Sequence, residues 1–174
     1  MSIFSSPSGV QMYDDRSFYR AFEKDLYSAR KNVIIESPFI TLRRIEELLP
    51  VVTKLRRKGV LVTVNTRNPI EHEEEYEMQA LVAIEKLQEL GVKILYTVKH
   101  HRKLAIIDGA VTWNGSLNIL SQHDSCEIMW RVVSKGIADQ LLGFIKMNLL
   151  DLTVAKNHWS YRISRTHRST RVTR

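Results

Sequence analysis

His101, Lys103 and Asp108 stand in the spacing H-x-K-x4-D, and Gly115-Ser116-Leu117-Asn118 follows as G-S-x-N. These residue types suit phosphodiester chemistry without a metal. A neutral imidazole is a competent nucleophile near neutral pH, because its reference pKa lies near 6.5. It can attack phosphorus and form a phosphohistidine, while a second, protonated histidine gives its proton to the leaving oxygen. A fixed lysine and an asparagine amide can hold the non-bridging oxygens as negative charge builds on them. Side chains alternate along a strand, so His101 and Lys103 share a face, which Ala105 and Ile107 continue. Leu104 and Ile106 fall on the other face, where they can pack on helices. His100 and Arg102 alternate away from the site, which favours His101 over His100 as the reactive histidine.

The complete pattern, H-x-K-x4-D with a trailing G-S-x-N, resembles the signature of the phospholipase D superfamily. It covers roughly residues 99–127. The resemblance implies catalytic roles for His101, Lys103, Asp108 and Glu127, with Asp108 structural or orienting rather than a proton carrier. Glu127, placed after the G-S-x-N, would hydrogen-bond the histidine. Lys103, Ser116 and Asn118 match phosphate contacts by position. Two motifs make one active site in this family, and the chain carries one. The resemblance therefore implies a twofold homodimer, joined through the active-site face, with His101 of each subunit at the same phosphate. It implies no metal and no cofactor. On the bland reading, Gly115 and Ser116 are turn residues and Glu127 is the partner of an arginine.

The elements that must position these residues alternate. Val10–Tyr13 suggests a first strand, and Asp15 can cap a helix carrying Phe18, Phe22, Leu26 and Ala29 on one face. Asn32–Glu36 reads as a buried strand. Thr41 can cap a second helix, with Ile45, Leu48, Leu49, Val52 and Leu55 inward. Residues 60–66 are β-branched and strand-like. A third helix spans about residues 73–90, its acidic start favoured by the helix dipole, and residues 92–96 form another strand. His101–Asp108 and Ala110–Trp113 predict a hairpin turning at Asp108-Gly109. Glu127–Val133 is a further strand, and Ser134 can cap a last helix. This order predicts an α/β domain of phospholipase D-like fold, with a mixed, largely parallel central sheet flanked by helices on both faces.

Charge divides the chain in two. Residues 1–155, the expected catalytic domain, hold 20 Lys and Arg against 19 Asp and Glu; residues 156–174 hold six basic residues and no acid. This tail, with Lys156, Arg162, Arg165 and Arg168 interleaved by Trp159 and Tyr161, suits nucleic acid. The lone Cys126 excludes an intrachain disulfide and fits a reducing compartment. No signal peptide is evident, and no apolar run approaches the ~20 residues of a membrane span. The expectation is a cytoplasmic, metal-independent nuclease, of a kind that can serve as the nuclease module of a larger DNA-processing system. A phospholipase and a non-catalytic nucleic-acid-binding module are the alternatives.

Overall fold

The computed structural model describes residues 9–121 and 125–145 of the 174. The basic tail and its four named cations lie outside the described residues. The elements run β1 (Val10–Asp14), α1 (Asp15–Ser28), β2 (Asn32–Glu36), α2 (Leu42–Arg57), β3 (Leu61–Thr66), α3 (Glu74–Glu89), β4 (Lys93–Tyr96), β5 (Leu104–Ile107), β6 (Val111–Gly115) and β7 (Ile128–Val133). A final helix, α4, is described over residues 135–145. Local chemistry sets the helix starts. Asp14, one residue earlier than expected, caps α1: its carboxylate accepts from the Ser17 N–H at 2.8 Å, and the Ser17 hydroxyl accepts from the Asp14 N–H at 3.1 Å. Thr41 stands at the N-cap of α2 but makes no side-chain cap bond. Ser134 takes the cap of α4, accepting from the Ile137 N–H at 3.4 Å.

The seven strands form one sheet in the order β1-β7-β6-β5-β2-β3-β4. It is mixed, as expected, but parallel pairing is confined to β2-β3-β4; the other four neighbouring pairs are antiparallel. The reason is connectivity. Only the first half of the chain returns through crossover helices, whereas among the described residues no helix separates β5, β6 and β7.

The two faces of the sheet are covered separately. Phe18, Phe22 and Leu26 of α1, Ile45, Leu48 and Leu55 of α2, and Ala83, Ile84 and Leu87 of α3 pack on Val33, Ile35, Val62, Val64, Ala105, Ile107 and Trp113. Ala138 and Ile145 of α4 pack on Leu104 and Ile106 from the other side. All four residues of β5 are buried, which fits the central strand of the seven. Burying Leu104, Ile106 and Ile107 stabilises by about 1.5–3 kcal/mol each, so β5 is held firmly from both faces. Trp113, fully buried, donates its indole N–H to Asp25 on α1 at 2.9 Å. Among the described residues no helix is long and apolar enough to cross a membrane.

Candidate active site

The register brings the motif residues other than Asp108 to one end of the sheet. Glu36 at the end of β2 pairs with Leu104 at the start of β5, Leu104 with Asn114, and Gly115 with Met129 near the start of β7. His101–Lys103, Ser116–Asn118 and Glu127 therefore gather at the C-terminal edge of the parallel strands. That edge is where open α/β sheets bind ligands.

Residues 101–103 are not in the sheet: β5 begins at Leu104, later than the spacing predicted. The expected alternation holds nevertheless. Lys103 Nζ lies 3.4 Å from His101 Nδ1 and 3.5 Å from Nε2, and donates to the His101 carbonyl at 3.0 Å. The imidazole is exposed and the lysine half-buried. Burial lowers the Lys103 pKa; the negative charge of Glu127 opposes that and the Arg67 cation adds to it. Glu127 accepts from the Ser125 hydroxyl at 2.8 Å and makes no hydrogen bond to His101. Among the described residues its expected bond to the histidine is absent, and its charge bears on Lys103 instead.

Gly115 and Ser116 lock β6 to β7. A Cβ on Gly115 would run into the Ile128 carbonyl and meet Met129 Sδ at 2.7 Å, so only glycine fits. Ser116 exchanges two bonds with Ile128: its N–H donates to the Ile128 carbonyl at 3.1 Å, and its Oγ accepts from the Ile128 N–H at 3.2 Å. Among the described residues the Ser116 O–H has no acceptor. The loop beyond docks on the β2–α2 connection, where the Leu120 N–H donates to Ser37 Oγ at 3.1 Å and the Thr41 N–H to the Leu120 carbonyl at 2.9 Å. Asn118 Oδ1 is buried with no partner among the described residues.

Asp108, expected with the catalytic residues, stands at the opposite end of β5. Five residues of extended chain put it roughly 16 Å along the strand from Lys103. Its carboxylate accepts from the backbone N–H groups of Arg30, Lys31 and Asn32 at 2.9, 2.7 and 3.0 Å. Its backbone takes the left-handed region at φ 53°, which aspartate tolerates better than most residues. Geometry therefore gives it a part in folding the hairpin, at the far end of β5 from His101 and Lys103.

A polar cluster behind the motif carried no spacing signal. Glu36, fully buried, accepts from Asn65 Nδ2 at 2.8 Å and takes both Nε and NH2 of Arg102, the latter at 3.0 Å. Thr97 Oγ1 donates to Asn65 Oδ1 at 3.1 Å. Arg67 lies over the Phe39 ring and donates to the His100 carbonyl at 3.0 Å. His100 is buried, and burial pushes its pKa down to about 4. Charged and amide residues closing otherwise β-branched strands, Glu36 after Val33-Ile34-Ile35 and Asn65 after Val62-Thr63-Val64, were the available clue. Among the described residues no three His, Cys, Asp or Glu side chains gather as metal ligands.

A family model described as cardiolipin synthase, PLD-like domain, matches residues 22–147, well over half of the chain. The chain belongs to the phospholipase D-like family. No curated protein matches it. Among solved structures, the phospholipase D family member Nuc from Salmonella typhimurium is similar at a TM-score of 0.67 and 14% identity, over 80% of this chain and 93% of that one. NucT from Helicobacter pylori is similar at 0.66 and 18%, over 80% and 94%. TrmBL2, an archaeal chromatin protein described as showing a novel mode of DNA binding, is similar at 0.58 and 10%, over 83% and 54%. At these identities the likeness is one of fold, and the phospholipase D-like fold is the one expected from the motif.

Proposed function

We propose that this chain is a metal-independent phosphodiesterase that cleaves nucleic acid through a phosphohistidine, at a site shared by two copies. The carrying observation is the His101–Lys103 pair, 3.4 Å apart, at the same sheet edge as the Ser116 hydroxyl and Asn118. An imidazole nitrogen of His101 attacks phosphorus and the bond to the leaving oxygen breaks. His101 of the second copy, protonated, gives that oxygen its proton. Water, deprotonated by the same histidine, then attacks the phosphohistidine and releases a phosphate monoester. Lys103 and Ser116 stabilise the non-bridging oxygens throughout. One exposed imidazole supplies either the nucleophile or the acid, which is why a second copy is needed. Glu127 acts through the charge of Lys103.

Nucleic acid is favoured by the basic residues 156–174. The DNA-binding description of TrmBL2 agrees with it. The matched family model carries a phospholipid synthase in its description, which keeps a phosphatidyl substrate as the second reading.

DNA, RNA and phosphatidyl substrates incubated with the full chain in excess chelator separate the readings. The expected result is cleavage of nucleic acid by the wild type, none by His101→Ala, and a solution mass of two subunits. Activity abolished by chelator overturns the metal-free mechanism, and activity retained by His101→Ala overturns the nucleophile. Turnover of phosphatidyl substrate alone favours the lipid reading, and a monomeric active enzyme overturns the shared site.

A further inference from the structure

The catalytic tripeptide has an unusual problem: it lies beyond the ladder. β2 ends at Glu36, opposite Leu104, so residues 101–103 have no strand partner on that side among the described residues. On the other side one backbone bond reaches them, from the Gly115 N–H to the Lys103 carbonyl at 3.3 Å. An unpaired segment of this kind would otherwise sample many conformations. We propose that Glu36 and Arg102 form a clamp that positions His101 and Lys103 for reaction. The proposal rests on the phosphodiesterase reading above.

The geometry is two-sided. Glu36 and Asn65 are register partners, so their side chains lie on one face of the sheet. Leu104, paired with Glu36, shares that face, and so does Arg102, two residues before it. Fixing Arg102 on this face obliges His101 and Lys103 to present the opposite one. The grip is a planar fork: the Arg102 guanidinium spans both Glu36 oxygens. Such pairing restricts orientation as well as distance. Glu36 is itself held by Asn65, and Asn65 by Thr97, so the anchor extends across β3 to the chain just beyond β4. Arg67 holds the His100 carbonyl and so fixes the peptide entering His101.

A wholly buried carboxylate is a poor way to stabilise a fold, because desolvation cancels much of the attraction; apolar residues of similar volume often do as well. Its place directly behind the reactive pair points to positioning instead.

The test compares wild type, Arg102→Lys and the double variant Glu36→Leu/Arg102→Leu, with Arg43→Gln as a surface-charge control. The readouts are thermal stability, steady-state kinetics on a nucleic acid and on a small chromogenic diester, and the imidazole NMR signals of His101, assigned by their absence in His101→Ala. In Arg102→Lys, kcat should fall by up to about 100-fold with KM little changed, since a misplacement of about 1 Å costs that much. The double variant should keep its thermal stability, show the same fall in kcat, and give broadened or multiple His101 signals. Arg43→Gln should match wild type. Wild-type kcat in either clamp variant, or a single sharp His101 signal in the double variant, overturns the clamp. A wild type inactive on every diester instead overturns the phosphodiesterase reading; the NMR comparison then decides the clamp alone.

Discussion

The Asp108 carboxylate accepts the backbone N–H of Lys31 at 2.7 Å, and with it those of Arg30 and Asn32. One motif residue thereby staples the β5–β6 turn to the start of β2, at the far end of the strand from Lys103. Burial raises the pKa of this carboxyl, but the three N–H groups outweigh that and hold it below the usual value. A depressed carboxyl stabilises the fold above its unfolded pKa, and that contribution is lost as pH falls through the acid range. Asp108→Ala should cost about 2 kcal/mol at neutral pH, the scale of hydrogen bonds to a charged group. Asp108→Asn, which keeps one acceptor oxygen and tolerates the left-handed backbone, should cost less. Urea unfolding measures both. The kcat per folded molecule should stay at the wild-type level, and a selective loss of kcat would return Asp108 to the catalytic set.

His100 predicts an acid-labile fold. It is 2% exposed, neither ring nitrogen has a partner among the described residues, and its pKa is pushed down to about 4. Unfolded, it titrates near 6.5, so the unfolded chain binds the proton first. Stability should be full above about pH 6.5 and fall toward pH 4, by up to about 3 kcal/mol from this group. His100→Leu, similar in volume and without buried polar atoms, should be at least as stable at pH 7 and should lack this component. Chemical denaturation at pH 7, 5.5 and 4 tests it; parallel losses in both proteins would refute the assignment.

The strands and helices were legible because their apolar spacing is regular: Phe18, Phe22 and Leu26, or Val33 and Ile35, face the core as their periods require. His101 and Lys103 were legible for the same reason, since alternation alone puts them on one side. Pairing direction was not legible. Nothing local in Leu104–Ile107 says that β5 runs antiparallel to β2, because a strand buried on both faces reads the same either way. The functions of Glu36, Asn65 and Arg102 were hidden too. Their partners lie 29 and 66 positions apart, and only the register brings them together.

Gly115 should tolerate no side chain. Its Cβ would run into the Ile128 carbonyl of β7, and backbone cannot swing aside as a flexible side chain can. Gly115→Ala should force β6 and β7 apart and cost about 1–3 kcal/mol, the range for overpacking. The same shift displaces Ser116, whose two bonds to Ile128 span that junction. Turnover should therefore fall further than the folded fraction does. The measurement is kcat set against the melting curve of the same preparation; a stable, fully active Gly115→Ala would contradict the close approach.

Glu127 should set the alkaline limit of activity. Lys103 must be protonated to hold a phosphate oxygen, and burial already lowers its pKa, with Arg67 adding to the effect; the Glu127 carboxylate is the charge that opposes both. Removing that charge lowers the pKa of Lys103 further. The rate is lost where the lysine loses its proton, so the alkaline limb of kcat/KM should move to lower pH in Glu127→Gln. In Glu127→Asp, which keeps the charge, the limb should move less. Activity of Glu127→Gln should fall more at pH 9 than at pH 7, which a purely structural partner of Ser125 would not produce. The decisive measurement is the full pH profile on a small chromogenic diester. An unmoved limb with a uniformly lower rate would give Glu127 a different part, in contact with the histidine of a second copy rather than with the lysine of its own.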